Sequence, residues 1–564
     1  MGTPVLTTRS LMVSLLLVSL GACSSPSGVK TRPDDGGGDS GGGGNCGCGG
    51  AIGDAGSGTG GRNGGGGTGG ASGSGGTTGA GVGGRGGGAG GMGGGVVGAG
   101  GRGVGGVGAG GCGGCGGSGT GGRAAGGSTG TGGRGTGGIV GTGTGGVTGL
   151  GGTPGTGGTT VAGPVAFPIK LSADRKYLVD QNNVPFLVTG DAPWSLIAKL
   201  NATDAATYLE DRRVRGFNLV IVNLVERQYS ATPPSTNAAG NAPFTGAPFA
   251  TPNEAYFAYA DSVITLAQQK GIAVLLAPAY LGYDGANPVE GWYAEMMAAG
   301  TSVLTTYGTY VGNRYKTFDN IIWLEGGDRS PDNLALTNAV VTGIKSVDTR
   351  HLHTAHWAPE TMASAEPVTW LDFNTVYTYN PVYLATTAAT SVGLPFIMIE
   401  STYENEGADA AQLRAEAYYP LLTGGVGQVF GNNPIWKFAA NWQTALAGAG
   451  SVSMTQLQKL FAPRAWTGLV PAQSVITAGG GTNGGTDYAV LAKSADGRLA
   501  IAYLPTSRAI TLNLTTMRAP ITARWYNPSN GAFTAIASPA AAAGVQLTPP
   551  PAAGDWVLLL EGAP

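Results

Sequence analysis

None of the five cysteines lies beyond Cys115. The long remainder of the chain is therefore neither a disulfide scaffold nor a cysteine-ligated zinc domain. Charge is also scarce: 11% of the 564 residues are charged and the net charge is −2. No basic stripe exists to follow a phosphate backbone, so a nucleic-acid partner is excluded. Only three histidines occur, all within His351–His356. Strand alternation puts His351 and His353 on one side and His356 on the other, so these three do not converge on a metal. Apolar runs long enough to span a bilayer are missing; the longest candidate, Leu11 to Leu20, is too short for a permanent helix.

The first quarter of the chain has its own character. Arg9 precedes the apolar run, which ends in Leu20-Gly21-Ala22-Cys23. Residues 1–23 read as an export signal, and the tail resembles a bacterial lipobox with Cys23 as the lipidated residue. The plainer reading is a secretory signal cleaved near Ala22. No Asp follows Cys23, which suits sorting to the outer membrane with the protein facing outward. Most of the 107 glycines crowd between Gly36 and Gly163. Such a segment cannot bury enough apolar surface to offset its ordering entropy, and no three-residue period with proline marks collagen. Residues 24–164 are expected to be a disordered tether, whose roughly 130 flexible residues have a reach on the order of 60 Å. Cys46, Cys48, Cys112 and Cys115 lie within it and have no histidine neighbours to complete a metal site.

From Val165 the composition is globular. Strand-like runs at 186–190, 217–225, 273–278, 320–325, 352–356, 374–379, 396–400 and 426–431 alternate with helix-period segments at 203–215, 254–270, 301–316 and 332–346. Asp332 is the expected cap of the last of these. Repeated β-then-α over residues 165–462 predicts a (β/α)8 barrel, a TIM barrel, with a doubly wound open sheet as the alternative. After residue 462 short strand-like runs take over, with Asp496-Gly497 and Asn530-Gly531 as hairpin dipeptides. Residues 463–564 are expected to form a small antiparallel β-sandwich.

Two of the apolar runs end in acids: Asn320-Ile-Ile-Trp-Leu-Glu-Gly-Gly-Asp328 and Leu394-Pro-Phe-Ile-Met-Ile-Glu400. Acids at the carboxyl ends of parallel strands sit where barrels place their ligands. Two such carboxylates are the minimum needed to hydrolyse a glycosidic bond. Gly190-Asp191-Ala-Pro-Trp194-Ser195, Arg215-Gly-Phe-Asn218, Trp323-Leu-Glu-Gly-Gly-Asp328 and Trp370-Leu-Asp372-Phe-Asn374 together resemble the apiosidase-like glycoside hydrolases (family 140 and relatives). The stretch Tyr488 to Trp525, with Ser494-Ala-Asp-Gly497, Tyr503-Leu-Pro505 and Ala523-Arg-Trp-Tyr526, resembles the collagen-binding-like domain that follows them. The resemblance spans Pro168 to Glu561.

That resemblance implies a retaining O-glycosyl hydrolase without cofactor or metal, with Asp328 as general acid/base and Glu400 as nucleophile. The substrate it implies is a complex polysaccharide, with a pectic, apiose-containing one as the finer expectation. Glu325 competes with Asp328 for the acid's role and is otherwise a buried partner or substrate contact. Asp191 either binds sugar hydroxyls beside Trp194 or caps a helix. Asn223 and Glu226 are placed to bind substrate, with an ion pair to Arg227 as the alternative for Glu226. His356 and Trp357 at the rim of the fifth strand, and Tyr379 and Tyr403, are further expected substrate contacts. The partners expected are a carbohydrate substrate and an outer membrane reached through the lipid anchor, with the protein itself a monomer. The alternative function is a non-catalytic surface lipoprotein that binds glycan or matrix; a metal-dependent hydrolase using the histidines is weaker.

Overall fold

Eight short strands, each buried along its whole length, make the central sheet. The computed structural model describes residues 165–229, 235–283 and 290–564. The expected signal, Cys23, the glycine-rich segment and its four cysteines lie outside the described residues. The strands are β1 Val188–Asp191, β2 Leu219–Asn223, β3 Ala273–Ala277, β4 Ile321–Gly326, β5 His353–His356, β6 Asn374–Tyr377, β7 Phe396–Glu400 and β8 Gly427–Phe430. They run parallel in the order β5-β4-β3-β2-β1-β8-β7-β6. The seam between β5 and β6 has no regular ladder. It is bridged by Asp372 N–H to the His353 carbonyl at 2.9 Å and by Thr354 Oγ1 to the Phe373 carbonyl at 2.9 Å. The barrel expected from the sequence is the fold observed.

Alternation sorts the strand residues into two layers. Val188, Leu219, Ile221, Leu275, Ile322 and Leu324 fill the barrel interior, while Val220, Val222, Val274, Leu276 and Trp323 lie under the helices. Both faces are covered, which is why these strands read as continuous apolar runs.

The helices that cover them are α1 Ala202–Arg215, α2 Glu254–Gln269, α3 Tyr293–Tyr315, α4 Leu334–Lys345, α5 Val382–Thr390, α6 Ala410–Leu422 and α7 Ala449–Phe461. Asn201 caps α1 by accepting from the N–H groups of Thr203 and Asp204. Gly216 ends it at φ 88°. The expected cap Asp332 is displaced by its neighbour: Asn333 accepts from Ala335 N–H, and Asp332 instead pairs with Arg329 at 2.6 Å. Helix α3 starts before the expected Thr301 because a helical segment from Tyr293 precedes it, separated by a kink at Gly300 where φ is 74° and ψ 168°. Between β5 and β6 the described residues hold no α-helix, only the two-residue strand Thr361–Met362, which pairs antiparallel with β6, and a short 3-10 turn, Ala363–Ala365.

The C-terminal strands form a six-stranded antiparallel sheet and a three-stranded one. One face of the larger sheet packs with the barrel through Val490, Ile501, Tyr503 and Leu559, and the other closes a separate core around Leu491, Leu512 and Trp525. Edge strands Leu469–Pro471, Ile476–Ala478, Phe533–Ile536 and Val545–Leu547 escaped the sequence reading. They are short and largely exposed, so they lack a clear apolar period.

Helices α3 and α4 meet backbone to backbone. A Cβ on Gly308 would stand 2.1 Å from the Val340 carbonyl oxygen, and one on Gly343 would stand 2.1 Å from that of Thr305. Neither neighbour is a flexible side chain. Gly343→Ala is therefore expected to cost about 1–3 kcal/mol by forcing the helices apart. Urea unfolding of the variant against wild type checks this.

Candidate active site

The turn leaving β4 sets the site. Gly326, Gly327 and Asp328 are three consecutive left-handed residues, with φ of 92°, 115° and 50°. A Cβ on Gly326 would lie 2.3 Å from the His356 carbonyl oxygen, and one on Gly327 would lie 2.1 Å from the Tyr280 ring. Only glycine fits both places. The turn folds back against β5: Gly327 N–H donates to the His356 carbonyl, and Asp328 N–H donates to His356 Nδ1 at 3.1 Å. Tyr280, just past β3, donates its hydroxyl to Asp328 Oδ2 at 2.6 Å.

His356 ends β5 facing inward, and Glu400 ends β7. His356 Nε2 stands 3.0 Å from Glu400 Oε2. A backbone N–H can only donate, so Nδ1 must present its lone pair to Asp328. In the neutral ring the proton therefore sits on Nε2 and is donated to Glu400. Burial alone would pull this imidazole's pKa down. The hydrogen bond to Glu400 and the charges of Asp328 and Glu400 outweigh it and hold the pKa above the ordinary value.

One carboxylate oxygen each from Asp328 and Glu400, and a ring nitrogen of His356, lie within 4.8 Å of one another. A cation could be ligated at that spacing, but His356 would have to give up the existing contact at the ring nitrogen that bound it. Asp328 and Glu400 are each 1% exposed, so water does not screen them from one another. Trp194 is buried against two of the site's rings, with its own 5.4 Å from that of His356 and 5.6 Å from that of Tyr280. Its Nε1–H donates to the Tyr403 hydroxyl at 3.2 Å. Tyr379, half-buried, brings its hydroxyl 3.5 Å from Glu400 Oε1 and 2.7 Å from the hydroxyl of Tyr377.

A family model described as "Apiosidase-like, catalytic domain" matches residues 172–468. The chain belongs to the apiosidase-like family. It is accordingly an O-glycosyl hydrolase. Residues 470–561 match a second model, described as "Putative collagen-binding domain of a collagenase". Among solved structures, one described as a glycoside hydrolase is 23% identical and covers 71% of this chain and 97% of its own, with a TM-score of 0.63. A glycoside hydrolase family 5 structure from Bacteroides vulgatus ATCC 8482 is also 23% identical, covering 70% of this chain and 92% of its own at a TM-score of 0.63. Both likenesses are of fold. Comparison with curated proteins gave no match.

Within this apiosidase-like barrel, several expected contacts fall elsewhere. Asp191 faces the helix layer, where it takes Arg212 at 2.8 Å and the Tyr208 hydroxyl at 2.6 Å, fully buried. It ties β1 to α1 and does not reach the mouth. Trp357 packs under the helices and donates to the Ala363 carbonyl at 2.9 Å. Arg227 pairs with Glu295 at 2.8 Å, in place of the Glu226 pairing the sequence suggested. Asn223 ends β2 in register with the interior residues Leu219 and Ile221, and neither polar atom of its buried amide has a partner among the described residues. Tyr280 went unrecognised as a partner of the acid, because nothing in its sequence position separates it from ordinary rim aromatics.

Glu325 shares the outward phase of Trp323, so it points away from Asp328 into the helix layer. Its nearest basic group there is His353 Nδ1, at 3.9 Å. Burial pushes the Glu325 carboxyl up to about 8, and burial drives the His353 imidazole down to about 3. The raised carboxyl sets the sign of a pH effect. Below the ordinary value of 4.5 both folded and unfolded chains are protonated and Glu325 has no cost. Between there and about 8 only the unfolded chain ionises, and stability is lost as pH rises. Glu325→Gln should therefore raise the melting temperature by a margin that is absent at pH 4.5 and grows up to about pH 8. Thermal melts across that range check it.

Proposed function

We propose that the enzyme cleaves its glycosidic bond with retention of configuration, using Asp328 as general acid/base and Glu400 as nucleophile. The observation that carries this reading is that one oxygen of each carboxylate lies within 4.8 Å of the other, around His356. Retaining enzymes hold their carboxyl groups about 5–5.5 Å apart, while inverting ones need about 6.5–9.5 Å to admit a water.

The surroundings divide the labour. Glu400 must stay ionised to attack the anomeric carbon, and the proton on His356 Nε2 stabilises that charge. Tyr280 occupies Oδ2 of Asp328, while Oδ1 has no hydrogen-bond partner among the described residues. Oδ1 is the oxygen that hands its proton to the leaving group. In the second step Asp328 takes a proton from an entering water, whose oxygen bonds to the anomeric carbon as the ester bond to Glu400 breaks, freeing the sugar and the carboxylate. The unpartnered amide of Asn223 suits a sugar hydroxyl, and Tyr379 meets the substrate where the site reaches solvent. Trp194 and Tyr403, both buried, act by fixing the rings that the substrate touches.

The family to which the chain belongs supports a complex, apiose-containing pectic polysaccharide as substrate. The N-terminal motif supports display on the outer membrane as a monomer anchored through Cys23. A screen of aryl glycosides and pectin fragments, with NMR of the first-formed anomer, tests substrate and stereochemistry together. On the substrate so found, Asp328→Asn and Glu400→Gln are each expected to lower kcat by about 10²–10⁴-fold or more with the fold intact by circular dichroism. Normal turnover by both variants would refute the assignment.

A further inference from the structure

The turn that follows Glu400 is held from behind. Ser401 Oγ donates to Glu416 Oε2 at 2.8 Å, and Thr402 Oγ1 donates to Glu416 Oε1 at 3.0 Å. Gln412 Nε2 adds a third donor to Oε1 at 2.9 Å. Glu416 is buried in the middle of α6 and has no basic partner in these contacts. A carboxylate in that position is costly unless its acceptor sites are filled. Here they are filled by the two residues directly after the proposed nucleophile.

The same helix is gripped on another side by the C-terminal β domain. Arg414 makes a two-pronged contact with Asp555, at 2.8 and 2.7 Å, with both residues buried. The Tyr503 hydroxyl donates to Asp555 Oδ2 at 2.9 Å, and its ring stacks on Tyr418 at 4.9 Å with an interplanar angle of 11°. The Tyr419 hydroxyl donates to the Tyr488 carbonyl at 2.9 Å. Residues 414, 416, 418 and 419 thus lie within two turns of one helix. Three clamp the β domain and one clamps the catalytic turn.

We propose that Glu416 is a positioning residue for Glu400, and that the C-terminal β domain serves catalysis by fixing α6 and, through Glu416, the Ser401–Thr402 turn. This rests on Glu400 being the nucleophile. The β domain is then a buttress of the active site, whatever else its outer surface binds. A shift of the nucleophile by an ångström costs on the order of 10²-fold in rate.

The test uses the full chain and a 2,4-dinitrophenyl 2-deoxy-2-fluoro glycoside of the sugar identified in the screen. Glu400 forms the bond to the anomeric carbon and dinitrophenolate leaves with the bonding pair. That leaving group needs no proton from Asp328, so the labelling rate reads Glu400 alone. If the wild type is not labelled at Glu400, the nucleophile assignment fails. With the wild type labelled, Glu416→Ala is expected to slow labelling and kcat by about 10–100-fold with KM little changed. Glu416→Gln, which keeps an acceptor oxygen for the turn, should restore most of the rate. Tyr503→Phe keeps the ring stack but loses the contact to Asp555, and should slow labelling several-fold. Ser401→Ala with Thr402→Val gives the same slowing without touching α6, should Glu416→Ala fail to fold. Folded Glu416→Ala or Ser401→Ala/Thr402→Val protein labelled at the wild-type rate overturns the role of Glu416. Tyr503→Phe with a lower melting temperature and an unchanged labelling rate overturns the role of the β domain.

Discussion

The contact on which the site depends is the imidazole of His356 set between two carboxylates. Its Nδ1 takes the Asp328 backbone N–H and its Nε2 faces Glu400. Two like charges this close, both buried, would repel by several kcal/mol at a low effective dielectric. A ring that donates to one and anchors the backbone of the other allows them to share the space. His356 was expected at the rim as a sugar contact; it is the spacer that defines the distance between the acids. Trp194 packs edge-on against the ring and Tyr377 at a tilt, at 5.4 and 4.9 Å between centroids.

The barrel could be read from the chain because parallel strands buried on both faces leave uninterrupted apolar runs, and these stand out in a sequence with little charge. Strand ends also located Asp328 and Glu400. Facing was harder. Asp191 and Glu325 lie at the carboxyl ends of strands, the positions expected of the proposed catalytic pair, but they point to the helices, since one residue of phase reverses a side chain. Period-two counting from Trp323 places Glu325 on the outer side, and the uncertain point was where the strand stops and the glycine turn begins. The Glu416 contact with Ser401 and Thr402 had no local signature, because it joins a helix interior to a turn. The edge strands of the sandwich were lost for want of burial.

The two halves of the described chain are joined by more than a linker. The buried Arg414–Asp555 pair and the stack of Tyr418 on Tyr503 lie in a core that runs from the barrel into the larger sheet. Breaking one partner of a buried pair leaves the other charge stranded, which makes the arrangement hard to lose by single steps. Barrel and sandwich are therefore best regarded as one cooperative body, with the helices over β7 and β8 as the shared layer.

The left-handed run at Gly326, Gly327 and Asp328 also decides which acid can serve. Among residues with a side chain, aspartate and asparagine tolerate that backbone region best. A glutamate there would meet a steeper conformational penalty, and its extra methylene would carry the carboxyl past the Tyr280 hydroxyl. The curl of the main chain thus selects the shorter homologue, and an evolutionary exchange of aspartate for glutamate at this point would require the loop itself to be rebuilt.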